Sequence, residues 1–314
     1  MQDGLAACLR AFGTELRRRT AMLGDRASLR ERIRRAGARF VRLGGAGDYP
    51  FGSAPLVAVD GSVHGFGGTY PYVVYLFRAA ARSSRGERVV EQGFLSPLVA
   101  AHREEVARVA AREGVPREHA LLLVRDRQLC RLEVRAATAA VRAVGPGLVL
   151  FDGGFLRYAH HAPEEWDEYC ATARAAGAVS VGVIEEAASS GLARAVVGEG
   201  FFDRDLLFGL LDPGEALFPP PVKQGLYTVF ARLSRHPQAV ACDFLPEYRE
   251  EAPAVMEYLY RITPSDSRGI PLFLDLVDSE VRLDEREVEL LLTTWVEADL
   301  RERFLVPHRA RRTY

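Results

Sequence analysis

Lysine is almost absent. Of 41 Lys and Arg residues only Lys223 is lysine, and it follows Pro219-Pro220-Pro221-Val222 rather than a glycine. A Walker A loop needs Lys after Gly, so the chain cannot hydrolyse ATP in the P-loop manner, and any ATP-driven step requires a partner. Cysteine is scarce as well: Cys8, Cys130, Cys170 and Cys242 are too scattered for a zinc ligand set or a disulfide framework. Such spacing fits a reducing compartment and core thiols. No Ser stands in a Gly-x-Ser-x-Gly elbow, which disfavours a serine hydrolase. No apolar run approaches the roughly twenty residues that span a bilayer, and Met1-Gln2-Asp3-Gly4 lacks the basic and apolar regions of a signal peptide. The expected location is the cytoplasm.

What is present is ordinary in bulk and uneven in detail. At 314 residues, 48% hydrophobic and 26% charged, the chain can bury a large core as one elaborated domain or two, and one is favoured. The net charge of −1 hides an asymmetry: residues 1–42 carry eleven Arg against four acids and residues 301–314 five Arg against one, which leaves the middle near −12. Acids are thus concentrated away from the ends. The Arg-rich start reads equally as a solvated amphipathic helix or as a contact for phosphates or a partner.

Leu56-Val57-Ala58-Val59 followed by Asp60-Gly61-Ser62 predicts a buried strand that stops at Asp60. An isolated Asp-Gly reads first as a hairpin turn. The arrangement recurs, however, at Leu148-Val149-Leu150-Phe151-Asp152-Gly153-Gly154, ahead of a helical pattern where a hairpin fits less well. Two strand-end carboxylates suggest a metal site.

Around these strands the pattern predicts one or two long helices over residues 5–42, a linker at Gly44–Pro50, strands at Thr69–Phe77 and Arg88–Phe94, and helices over 97–112 and 119–144. Gly65-Phe66-Gly67-Gly68 carries no GxGxxG register and leads into a strand, so a dinucleotide-binding start is disfavoured. Farther on, strands are predicted at 178–184, 226–232 and 239–244, and helices near 164–176, 187–197, 203–211, 252–261 and 284–303. Strands first in a hairpin-rich group and then alternating with helices indicate a mixed α/β sheet. On the helix over 119–144, Glu133 falls within the apolar stripe of Leu122, Leu129, Leu132, Ala136, Ala137 and Ala140. A buried carboxylate needs either a neighbouring cation, with Arg131 and Arg135 at hand, or a bound metal ion.

Val59-Asp60-Gly61-Ser62, Arg131-Leu132-Glu133 and Leu150-Phe151-Asp152-Gly153, in that order and on those elements, resemble the NurA nuclease family over roughly residues 55–285. The resemblance implies an α/β, ribonuclease H-like mixed sheet flanked by helices, with helical N- and C-terminal extensions: an arm and linker over 1–50 and a nuclease domain over 51–314. It implies that Asp60, Glu133 and Asp152 are metal ligands. The family's late Gly-Tyr-Pro segment corresponds to Gly269-Ile270-Pro271, which places Asp278 where a His or Asp stands. Ile270 departs from the family's Tyr, and Glu185-Glu186 stands where a lysine often follows. His308 is a further candidate ligand.

Such a set of hard oxygen ligands suits two ions of Mn2+ or Mg2+ about 3.5–4 Å apart, with Asp60 bridging. The implied activity is DNA end resection by 5′-to-3′ exonuclease and single-strand endonuclease cleavage, in a homodimer partnered by a HerA-like hexameric ATPase. A catalytically silent nucleic-acid-binding or scaffold subunit is the first alternative, and another ribonuclease H-like enzyme, a resolvase or an Argonaute-type nuclease, the second.

Overall fold

The computed structural model describes residues 2–44, 48–220 and 225–306. Lys223, His308 and the arginines of the tail from residue 307 onward lie outside the described residues. The strands are β1 (Arg39–Arg42), β2 (Leu56–Gly67), β3 (Val73–Ser83), β4 (Arg88–Leu95), β5 (Leu148–Asp152), β6 (Val179–Ile184), β7 (Glu215–Phe218), β8 (Tyr227–Arg232) and β9 (Val240–Phe244). The helices are α1 (Gln2–Leu23), α2 (Arg26–Arg35), α3 (Ala100–Glu113), α4 (Arg117–Val144), α5 (Phe155–His161), α6 (Pro163–Ala176), α7 (Gly191–Val197), α8 (Asp203–Leu207), α9 (Ala252–Ile262), α10 (Leu272–Val281), α11 (Glu285–Trp295) and α12 (Ala298–Phe304). Among the described residues, these nine strands form one mixed sheet in the order β1-β7-β8-β9-β6-β5-β2-β3-β4. No described helix is long and apolar enough to cross a membrane.

The chain divides into two compact units, Met1–Pro50 with Val183–Leu272, and Phe51–Gly182 with Phe273–Tyr314. In the first, β1, β7, β8 and β9 pair antiparallel in succession. Leu29 and Ile33 of α2 join Leu206, Leu211, Leu217 and Phe230 in one core. Several arginines of the basic start are spent inside this unit: Arg30 makes two hydrogen bonds to Glu215, at 2.7 and 2.5 Å, Arg19 meets Asp205 at 2.6 Å and Arg26 meets Asp212 at 2.7 Å. Charge clustering in the sequence therefore marks, in part, internal ion pairing.

In the second unit β2, β3 and β4 form an antiparallel meander, and β5 returns through α3 and α4 to lie parallel to β2. The order β4-β3-β2-β5-β6 is the ribonuclease H-like arrangement. Val106, Val109, Leu121, Val124 and Leu132 pack α3 and α4 onto Phe77 and Ala79 of the meander. Under the end of β5, the Phe151 ring touches Phe155, Tyr158, Trp166 and Tyr169 at centroid distances of 5.9, 5.1, 5.9 and 5.0 Å.

Four local expectations change. The strand from Leu56 does not stop at Asp60 but runs on through Gly67, because β3 continues the antiparallel ladder past that point, pairing Asp60 with Ala80 and Gly67 with Val73. The four-residue strands β1 and β7, too short to show a period, pair with each other. A seven-residue helix, α5, follows Asp152 where none was expected. The final helix is two, since Val296 takes an extended backbone and Asp284 caps only the first of them.

Candidate metal centre

The site grows from the parallel register of β2 on β5. Leu56 to Val59 pair in order with Leu148 to Phe151. Asp60 and Asp152 are the next residues on the two strands, so two acids far apart in sequence emerge at one level. Asp152 ends β5, whereas Asp60 lies within β2; it is the parallel partner that stops here, which opens the sheet beside a strand that continues.

Glu133 arrives from α4. A Cβ built on Gly61 would lie 2.6 Å from Glu133 Oε1, 2.7 Å from its Cγ and 2.9 Å from Leu129 Cδ1. No side chain fits there, so the glycine after Asp60 is what allows α4 to seat its carboxylate against β2. Asp278 is carried by α10. That helix is held beside the meander by Arg82 and Arg88, both reaching Glu280, and by the amide of Leu283, which donates to Ser62 Oγ at 3.2 Å.

The electrostatics unite the four acids. Burial pushes the Asp60 carboxyl up to about 8, and the negative charges of Asp152, Glu133 and Asp278 add to the rise against the lowering effect of the Gly61 amide. Glu133 is fully buried and its Oε1 has no hydrogen-bond partner. Its other oxygen accepts from Arg157 Nη2. The expected neighbours Arg131 and Arg135 do not serve it; they reach Glu105 and Glu165 instead. Asp278 pairs with Arg282 one turn along its helix. Two of the acids thus pair with arginines, and no three His, Cys, Asp or Glu side chains converge into a ligand set among the described residues.

The structure thus brings Asp60, Glu133, Asp152 and Asp278 into one electrostatic neighbourhood. Arg157 went unnoticed in the sequence because a single Arg at the start of a short helix carries no pattern. The departures from the family pattern sit in ordinary surroundings: Ile270 is buried, and Glu185 accepts from Arg268 at 2.7 Å.

The strand order puts the chain among the ribonuclease H-like α/β proteins. The NurA domain matches residues 55–283, most of the chain, and the chain belongs to the NurA family, a family of nucleases. No curated protein matches it. Among solved structures, the catalytic domain of human endonuclease V is similar at 14% identity and a TM-score of 0.36, covering 85% of this chain and 95% of that one. Endonuclease V of Ciona intestinalis, in complex with a 24mer DNA containing an inosine followed by a ribo-adenosine, is similar at 12% identity and a TM-score of 0.36, covering 83% and 95%. Argonaute of Kluyveromyces polysporus with a guide RNA has 8% identity and a TM-score of 0.32 over 74% of this chain and 27% of that one.

Proposed function

We propose that this nuclease is a metal-dependent deoxyribonuclease in which Asp60, Glu133, Asp152 and Asp278 hold two divalent cations, Mn2+ or Mg2+. One observation carries the reading: a fully buried Glu133 with an unpartnered oxygen stands beside an Asp60 whose carboxyl is driven up by burial and by three neighbouring acids. Buried anions of this kind require cations, and an all-oxygen set selects hard ones. Bound there, such ions would neutralise the scissile phosphate, activate water and stabilise the leaving oxygen.

The chain's own contribution is to hold four carboxylates on rigid elements. Asp60 and Asp152 are fixed by strand register, Glu133 by the fit of α4 on Gly61, and Asp278 by α10. No side-chain base is needed. The proposed reaction is cleavage at DNA ends with 5′-to-3′ exonuclease and single-strand endonuclease activity, by a cytoplasmic homodimer working with a HerA-like hexameric ATPase. The second reading, a catalytically silent nucleic-acid-binding subunit, is favoured by Ile270, whose buried side chain offers no phenol.

End-labelled single- and double-stranded DNA incubated with Mn2+, Mg2+ or EDTA separates the two. Cleavage is expected with metal, none with EDTA, and none from folded Asp60→Ala or Asp152→Ala variants. Cleavage that survives in both variants would sink the site assignment, and its absence from the parent would favour the silent subunit.

A further inference from the structure

Arg157 makes an incomplete pair with Glu133. Its Nη2 donates to Glu133 Oε2 and, at 3.1 Å, to the Tyr158 hydroxyl, while the guanidinium lies 4.8 Å from the Tyr158 ring centroid. Its Nε is buried with no partner, and so is Glu133 Oε1. A guanidinium set square to a carboxylate would use two parallel N–H···O bonds and leave neither atom over. Here the second carboxylate oxygen points instead at Gly61, the residue after Asp60.

The two partners also differ in access to water. The Arg157 side chain is 36% exposed, whereas that of Glu133 is 1% exposed. Arg157 can therefore exchange Glu133 for solvent, but Glu133 cannot follow it out. A buried carboxylate left alone is strongly disfavoured, so departure of the guanidinium has to be matched by arrival of another cation. Arg157 is placed for this exchange, with its Cζ 3.6 Å from where a Cβ would stand on Gly153, directly after Asp152.

Resting on the metal-nuclease reading above, we propose that Arg157 is a resident counter-cation that competes with the divalent ion for Glu133, and so sets the cation concentration at which the site loads. It is a positioning residue that acts through Glu133. In the metal-free protein it keeps the buried carboxylate compensated; on loading it gives way.

The test is Mn2+ titration of the full chain without DNA, read by the electron paramagnetic resonance of free Mn2+, for the parent, Arg157→Met, Glu133→Gln and the double variant. Arg157→Met is expected to bind Mn2+ about tenfold more tightly, since the metal then has no competitor. Glu133→Gln is expected to bind more weakly, and adding Arg157→Met to it to change nothing further. Arg157→Met is also expected to unfold at a lower temperature in EDTA and to gain more from added Mn2+ than the parent. If Arg157→Met does not fold, Arg157→Lys, which keeps the charge without the fork, is titrated in its place and is expected to show a smaller gain in affinity. Unchanged or weaker Mn2+ binding by the Arg157 variant, or an equal gain in the Glu133→Gln background, overturns the competition alone. A parent that binds no Mn2+ overturns the metal-nuclease reading, and the competition with it.

Discussion

Asp60 combines a position fixed by backbone pairing with a charge state set first by burial and then by its acidic neighbours. Burial pushes its carboxyl up to about 8 in the fold, against about 3.9 in an unfolded chain. Between those values the native protein holds a proton that the unfolded chain has released, so metal-free stability falls as pH rises through the window and is lowest above it. At 1.36 kcal/mol per unit the separation amounts to at most about 6 kcal/mol. Asp60→Asn removes the titration while keeping the shape. In EDTA the variant is expected to match the parent near pH 4 and to exceed it in thermal midpoint near pH 9; parallel pH curves for the two proteins would refute the coupling. The neighbouring residue gives a second expectation. Gly61→Ala forces a methyl to 2.6 Å from Glu133 Oε1 and 2.9 Å from Leu129 Cδ1, overpacking that costs about 1–3 kcal/mol. Denaturant unfolding should show that loss, together with impaired cleavage as Glu133 is pushed off the strand. An alanine variant with normal stability and activity would mean that α4 does not need this close seat.

At the scale of elements, what the sequence made legible follows from length and periodicity. Helix α4 keeps an apolar stripe over 28 residues, so both it and the anomaly of Glu133 within it could be read directly. The apolar runs of β2 and β5 were equally plain, and with them Asp60 and Asp152. The extent of β2 was hidden because Asp-Gly-Ser carries turn chemistry, whereas Gly61 is needed for contact with α4 rather than for a turn. Strands β1 and β7 were hidden because four residues set no period, and because the arginines before β1 continue a helical pattern. No local signal told of Arg157, whose role comes from tertiary proximity to Glu133. Helix α10 is the element whose placement matters most for the fourth acid. It delivers Asp278, now paired with Arg282, to within electrostatic reach of Asp60. If Asp278 is a ligand, Asp278→His should keep cleavage with Mn2+ and weaken it with Mg2+, because imidazole suits softer cations better than magnesium. Full activity of Asp278→Ala with either metal would show that α10 contributes no ligand.

At the scale of the whole molecule, the proposed resection of a duplex would need a source of energy. Separating a duplex costs on the order of 1.4 kcal/mol per base-pair step, and cleavage of the backbone does not return that energy as movement. The only lysine lies in a proline-rich segment with no P-loop, so under the function proposed above the work would be supplied by a HerA-like ATPase ring. The internal pairing of Arg19, Arg26 and Arg30 narrows the basic surface available for DNA or for that ring. Exposed Arg10, Arg17 and Arg18 on α1 are the part of the basic start to test. Contacts made through such charges weaken as salt rises. Co-purification with the HerA-like protein of the same organism should therefore be strongest at low salt and reduced when Arg10, Arg17 and Arg18 are replaced by Glu, with cleavage of short single strands unchanged. Degradation of a long duplex should need both the ring and ATP. Equal degradation by the nuclease alone, or failure to retain the ring even at low salt, would mean that this chain resects without a motor.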